Sequence, residues 1–307
     1  MYKKRYLTLS HFLHRQFGCR VYKIPVNAGF TCPNRDGTVG TGGCTFCYNP
    51  SFSPVADTPA KSIREQILEY KTRLSHRKRQ AKYLAYFQSY TNTYAPPNVL
   101  RSLYREALSV PDVVGLCIGT RPDCVPNPVL NVIEEYARDH HVWLEYGLQS
   151  IHNKTLRLIN RGHTAEDFLD AVSRTKGRGI YICAHVILGL PGETLQDMLT
   201  TARALNDVGV DGVKIHHLQI IRHTKIAEDY LAGKNIDTLS VDEYVHLVCT
   251  FLEHLSPEIV IHRLCGEVLA GEMLLAPVWN LPKTDIINKI DKELNRRGSY
   301  QGSRVNP

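Results

Sequence analysis

The chain has 307 residues, 43% apolar and 22% charged, with 37 Lys+Arg against 30 Asp+Glu for a net charge of +7. That is one enzyme-sized domain, or one with a small appendage, large enough to stay folded without disulfides or a structural metal. Its nine cysteines are an odd number; with no apolar leader core and no run approaching the ~20 residues of a membrane span, composition excludes a disulfide scaffold and a membrane protein and points to the cytoplasm.

Short β-branched and aromatic runs alternate with amphipathic stretches at roughly 30-residue spacing, the length of a βα unit. Strands are expected at 20–26, 83–87, 113–118, 142–146, 180–188 and 212–217, and helices at 62–78, 98–108, 127–138, 165–176 and 194–208. This order predicts an α/β chain with a parallel sheet and helices outside it. From residue 226 the rhythm breaks: a helix near 242–254 and a seventh strand at 259–262 lead to IHRLCGE and a basic tail. The expected division is a core over 1–225 and a C-terminal extension over 226–307 packed on it, with the last few residues disordered.

Chemistry-bearing residues gather just after strands, where α/β folds bind ligands. The most informative segment is CPNRDGTVGTGGCTFC, in which two residues separate Cys44 from Cys47 and eleven separate Cys32 from Cys44. Three thiols can be brought to one point by the glycine-rich loop, one fewer than a closed zinc site uses, and no second C-x-x-C occurs. The donor set suits a [4Fe-4S] cluster with one iron left open; zinc remains the alternative at this stage.

The three cysteines, with the aromatic Phe46 before the last, resemble the motif of radical S-adenosylmethionine (SAM) enzymes, although the first gap is wider than usual there. GTRPD (119–123), EYGLQS (145–150), NRGHT (160–164), GLPGET (189–194) and KIHHLQIIRHT (214–224) are similar, in the same order, to the radical SAM domain of the Elongator catalytic subunit. VNAGFTCPNRDGTVGTGGCTFC, QSYTNTYAP and IHRLCGE resemble the bacterial YhcC/YtqA-type radical SAM family almost throughout, over roughly residues 5 to 290.

That resemblance implies a partial (β/α)6 TIM-like radical SAM barrel with a C-terminal extension. It implies a [4Fe-4S] cluster on Cys32, Cys44 and Cys47, S-adenosylmethionine on the open iron, and an external one-electron donor of flavodoxin or ferredoxin type. Gln88 and Ser89 are expected to hold the methionine ammonium, Gln149 and Ser150 the ribose or methionine with Glu145 behind them, and Arg161 the cofactor carboxylate, with Arg121 as a second candidate. His185, Ile187, Leu188 and Leu218 are expected around the adenine. The plain alternatives are a polar loop at 88–93, a surface salt bridge for Arg161 and core packing for Ile187 and Leu188. On the sixth strand Lys214, His216 and His217 alternate, so only one histidine of the pair can face the barrel.

The positive charge favours polyanions. The run Lys71, Arg73, Arg77, Lys78, Arg79 and Lys82, helped by Lys3, Lys4, Arg5, Arg296 and Arg297, is the candidate RNA-binding surface, and Tyr2, Tyr6, Tyr83, Tyr86, Tyr90 and Tyr94 could stack on a base; a solvated helix face with core tyrosines is the plain reading. The resemblance implies tRNA as partner and conversion of 5-carboxymethylaminomethyl (or its 2-thio form) to 5-aminomethyl at the wobble uridine, with a tRNA methyltransferase acting on the product. Arg222 or Arg263 would hold the substrate carboxylate. Radical chemistry on a small metabolite, and a zinc-stabilised RNA-binding module without catalysis, are the competing readings.

Overall fold

The computed structural model describes residues 4–53, 55, 61–75, 81–268 and 273–305. After helix α1 (Leu9–Phe17) the strands β1 (Arg20–Val26), β2 (Ala81–Phe87), β3 (Val113–Thr120), β4 (His141–Gln149), β5 (Tyr181–Leu188) and β6 (Gly212–His217) follow, each parallel to the last. The crossovers carry α2 (Ile63–Ser75), α3 (Pro97–Leu108), α4 (Asn127–Ala137), the short α5 (Asn153–Leu158), α6 (Ala165–Thr175) and α7 (Leu195–Val208). Thr164 with Asp167 and Thr194 with Asp197 form reciprocal capping boxes that start α6 and α7 where the sequence switches from turn to amphipathic period.

Beyond β6 come β7 (Ile220–Ile221), α8 (Lys225–Leu231), α9 (Val241–Glu253), β8 (Val260–Arg263), β9 (Leu274–Ala276) and α10 (Lys283–Arg296). The main sheet runs β1-β2-β3-β4-β5-β6-β8, seven parallel strands curled into a half-barrel, while β7 and β9 pair apart from it. The expected core-extension boundary at 225 therefore does not bound the sheet, because the segment beyond 226 supplies its seventh strand. The segment 299–305 is docked: Gln301 is buried, its side chain accepts from Leu7 N at 2.9 Å and donates to Ile259 O at 2.8 Å, and Arg304 N donates to Glu253 O, while 306 and 307 lie outside the described residues. Satisfied backbone and a buried amide, rather than disorder, hold residues 299–305.

Strand alternation divides the side chains. Outward residues such as Ile24, Ala85, Ile118, Leu144, Val186 and Ile215 form the main core with the helices. Inward residues Leu84, Cys117, Trp143, Cys183 and Val260 close the bottom of the lumen together with Leu13 of α1, and Phe12 meets the Trp143 ring edge-on at 5.8 Å. Helix α1 is thus a plug at the amino ends of the strands, and the opposite end is left open.

Candidate active site

The open end is a cleft of about 220 Å³ in which Cys32, Cys44 and Cys47 share one lining with Gln88, Gln149, Arg161, His185, Lys214 and Arg263. The eleven residues between Cys32 and Cys44 close on themselves. Asp36 bridges Thr41, Val39 N donates to Pro33 O and Gly43 N donates to Asn34 O at 2.8 Å, so the long gap returns Cys44 toward Cys32. Asn160 ties this loop to the barrel, accepting on its carbonyl from Asn34 at 2.7 Å and donating to Gly43 O at 2.8 Å.

Donors surround the thiols. Arg161 places Nη1 3.3 Å from Cys44 Sγ while Nε and Nη2 donate to Gly147 O at 3.1 and 2.8 Å. Asn34 Nδ2 stands 3.7 Å from Cys44 Sγ, Asn49 Nδ2 3.8 Å from Cys47 Sγ, and Arg35 donates to Cys47 O at 2.6 Å. Burial, then Cys44, pushes the Cys47 thiol up to about 11. Among the described residues no three His, Cys, Asp or Glu side chains could hold a single metal ion. In a cluster each thiolate takes its own iron, and three thiols in one electropositive cleft suit that chemistry.

Gly147 makes room for this arrangement: a Cβ there would lie 2.6 Å from Arg161 Nη2 and 2.9 Å from Gln149 Nε2. Gly147→Ala is expected to push the guanidinium off Cys44 and lower the iron retained after anaerobic reconstitution by about 10-fold, the usual size for residues that orient metal ligands; unchanged iron content would show that Arg161 does not support the thiol.

The other expected site residues sort by strand face. Gln88, Gln149, His185 and Leu218 line the cleft, with Ile187. Leu188 does not: it falls on the outward face in the main core. Ser89 and Ser150 are buried and already engaged, Ser89 with Ser53 Oγ at 2.8 Å and Ser150 with the Glu193 carboxylate. The 88–93 segment braces the cysteine loop, with Tyr90 N donating to Asn49 Oδ1 at 3.0 Å and Thr91 N to Thr31 O. Arg121 is clamped by Asp123 at 2.9 and 2.7 Å and donates to Arg161 O at 2.7 Å, so it positions Arg161. Arg161 itself is buried against a carbonyl and a thiol, with no surface salt bridge among the described residues. His216 faces His185 with ring centroids 5.9 Å apart, and His217 stacks on Trp279 at 4.2 Å.

Arg263 lines the cleft and Arg222 is not among its lining residues. A register shift between Val213 and Lys214 places one extra residue, His262, in β8 and pairs Lys214 with Arg263. The bulge turns the consecutive His262 and Arg263 both inward. No carboxylate or carbonyl lies within hydrogen-bonding distance of the Arg263 guanidinium among the described residues, unlike Arg121 or Arg297.

The described members of the basic run, Lys71, Arg73 and Lys82, lie elsewhere. Helix α2 returns antiparallel to the strands, so its C-terminal end and the start of β2 sit at the plugged end of the barrel, away from the thiols. There Lys71 pairs with Asp112 at 2.9 Å and Lys82 covers the Phe17 ring at 5.3 Å. Arg73 is exposed, and Arg77, Lys78 and Arg79 lie outside the described residues, as do Tyr2 and Lys3. Lys4 pairs with Asp291, Arg5 donates to Asn295, and Arg296 and Arg297 pair with Glu293. Tyr83 is buried near Lys71, whereas Tyr90 lines the cleft.

A polar core deeper in the lumen was only partly visible in the sequence. Glu145, fully buried, takes Lys23 Nζ on Oε1 at 2.5 Å, and His185 Nε2 and Lys214 Nζ on Oε2 at 2.8 and 3.2 Å. Burial raises its carboxyl, but Lys214 and Lys23 outweigh burial and hold it well below the usual carboxylate range. Lys214 also reaches Tyr86 Oη at 2.5 Å. Burial drives its ammonium down to about 8 against the pull of Glu145, with Arg263 and Lys23 adding to the fall. Burial also takes His185 down to about 4 and His262 to about 3, so both imidazoles are neutral at pH 7. The lumen therefore carries Lys23, Lys214 and Arg263 against Glu145, with Glu267 at the lining, a surplus of positive charge.

A curled parallel half-barrel with three thiols in the loop after its first strand defines a class, and the chain belongs to the radical SAM superfamily, whose profile matches residues 32–205; the radical SAM C-terminal domain matches residues 210–296. It is 41% identical to YtqA of Bacillus subtilis strain 168 over 300 residues, 98% of this chain and 92% of that one. It is 32% identical over 124 residues, 39% of this chain and 23% of the other, to the tRNA uridine(34) acetyltransferase of Methanocaldococcus infernus. Among solved structures it is similar to Elp3 of the same archaeon, lacking its N-terminus, with a TM-score of 0.68 at 18% identity over 92% of this chain and 64% of that one. The family implies a [4Fe-4S] cluster and S-adenosylmethionine. Among the described residues no helix is long and apolar enough to cross a membrane.

Proposed function

We propose that the chain is a tRNA-modifying enzyme that removes the carboxymethyl group from 5-carboxymethylaminomethyluridine, or its 2-thio form, at the wobble position and leaves the 5-aminomethyl group. The observation that carries this reading is the inward Arg263: a guanidinium without an acidic partner among the described residues, in the same cleft as the three thiols. A cation of this kind is matched by a substrate carboxylate, which accepts two parallel hydrogen bonds. The relative named for uridine 34 of tRNA supports the nucleic acid and the position.

Cys32, Cys44 and Cys47 would hold the cluster, which together with S-adenosylmethionine would supply 5′-deoxyadenosyl radical chemistry able to open an unactivated C–H bond. Arg161 and Asn34 direct N–H donors at Cys44 Sγ. Gln88 and Gln149 offer amides to the cofactor's methionine and ribose, and Ile187 and Leu218 offer an apolar wall to its adenine. The α1 plug and the buried aromatic floor keep water from the lower lumen. Arg263, on the far strand, fixes the carboxymethyl end, and the surplus cation charge attracts an anionic substrate. A one-electron donor of flavodoxin or ferredoxin type and a methyltransferase using the aminomethyl product complete the proposed setting, in the cytoplasm.

In a strain lacking the gene, tRNA is expected to accumulate the carboxymethylaminomethyl nucleoside; an unchanged nucleoside profile rejects the assignment. Arg263→Gln is expected to lower kcat/KM for modified tRNA about 10- to 100-fold, the size of a hydrogen bond to a charged group, while uncoupled cleavage of S-adenosylmethionine continues. Arg222→Gln serves as the comparison, with a smaller effect.

A further inference from the structure

Lys214 is the feature of the lumen that the proposed reaction leaves without a task. Its Nζ lines the cleft yet is nearly buried, between the Tyr86 hydroxyl at 2.5 Å and Glu145 Oε2 at 3.2 Å, and it sits over the Tyr86 ring 4.6 Å from the centroid. Across the β6–β8 ladder its Cα partner is Arg263. A buried amine beside a cation that binds carboxylates forms a two-point site for one kind of ligand, a small acid whose carbonyl carbon adjoins its carboxylate.

We propose that Lys214 is a Schiff-base site for a small oxo acid, with Arg263 holding the acid's carboxylate and Tyr86 relaying the proton. The free amine adds to the carbonyl carbon and a C–N bond forms. The carbonyl oxygen leaves as water with both amine hydrogens, and no electrons change hands. Tyr86 is suited to hand a proton to the departing hydroxyl because burial, then Glu145, keeps its phenol protonated.

Among the described residues Lys23 and Lys214 face this lumen, and the geometry separates them. Lys23 is locked to Glu145 at 2.5 Å and its ammonium is strengthened, burial being outweighed by Cys117 and Glu145. Lys214 shares its side of Glu145 with His185 and stands near a second cation, so burial prevails and its amine is released near pH 8. The charged and titratable groups around it are Lys23 on β1, Tyr86 on β2, Cys117 on β3, Glu145 on β4, Cys183 and His185 on β5, His216 on its own strand, and His262 and Arg263 on β8. At pH 7 its reactive neutral fraction is therefore well above that of an ordinary lysine.

The inference rests on the proposed reading for one point, the origin of the acid: removal of a carboxymethyl group from nitrogen as a carbonyl compound, with S-adenosylmethionine as the two-electron oxidant cleaved to methionine and 5′-deoxyadenosine and with water supplying the carbonyl oxygen, would yield a two-carbon oxo acid inside this cleft. The test does not depend on turnover. Full-length, anaerobically reconstituted protein is treated with glyoxylate and cyanoborohydride and mapped by peptide mass spectrometry. Nε-Carboxymethylation is expected at Lys214 ahead of the exposed lysines, with a rate that climbs from pH 6 and levels above about 8. Arg263→Gln should cut that labelling at least about 10-fold, and acetaldehyde, which has no carboxylate, should label Lys214 of the unaltered protein far less than glyoxylate does. Labelling spread over surface lysines, or equal labelling by the two aldehydes, overturns the site. Lys214 labelling beside an unchanged tRNA nucleoside profile keeps the site and rejects the tRNA reading.

Discussion

In oxygen-free protein reconstituted with iron and sulfide, Cys44→Ala is expected to lose its iron and to form 5′-deoxyadenosine at a rate lowered by more than about 100-fold, beyond the 10- to 100-fold typical of groups that merely orient ligands. Cys44 is the most enclosed of the three thiols, and Arg161 at 3.3 Å and Asn34 at 3.7 Å both point donors at it. Those donors have no purpose around a neutral methyl group, and the variant leaves a buried guanidinium nitrogen facing alanine. Cys249→Ala is the control: that thiol donates to Ile290 O between α9 and α10 and lies outside the cleft, so iron and cleavage should be unchanged. Iron retained by Cys44→Ala would remove the cluster from this loop and the cofactor assignments with it.

The parallel fold and the thiols were legible in the sequence because each is written locally. The period of hydrophobic runs sets strands and helices, capping boxes at Thr164 and Thr194 mark helix starts, and a C-x-x-C in a glycine-rich loop is visible by spacing alone. What depends on register across distant strands was not legible. Leu188 was expected in the adenine pocket together with Ile187, yet in a strand adjacent residues take opposite faces. Arg263 and Arg222 were equivalent candidates until the β8 bulge turned one of them inward. Lys71, Arg73 and Lys82 were grouped by sequence alone, but a crossover helix carries its C-terminus back to the amino ends of the strands, so these three lie away from the thiols. A usable signal did exist for the buried network. Lys23, Glu145 and Lys214 each stand in the middle of a strand of a parallel sheet, where both faces are ordinarily apolar, and three such exceptions at inward positions imply that they meet.

Their meeting has a cost that Glu145→Gln should expose. The variant keeps the side-chain shape but leaves the Lys23 and Lys214 ammoniums, 2.5 and 3.2 Å from the lost carboxylate, without a counter-charge in a fully buried setting. Breaking a buried ion pair from one side destabilises by about 3–5 kcal/mol, so urea unfolding at pH 7 is expected to show a loss of that size. The dependence on pH identifies the cause. Burial alone would raise the Glu145 carboxyl, but Lys214 and Lys23 hold it well below the unfolded value of 4.5, so its contribution is fully present above that value and is lost as pH falls toward the lower, folded one. Without Glu145 the Lys214 ammonium, already held down to about 8 with it, falls further, so the margin in favour of wild type should widen from pH 7 toward 5 as the variant's buried lysine is forced to charge, and it should shrink on further acidification as the native carboxyl takes up its proton and comes to resemble glutamine. A margin that stays constant into acid would mean that the glutamine disturbs packing, and that charge compensation between these strands is not what the native lumen relies on.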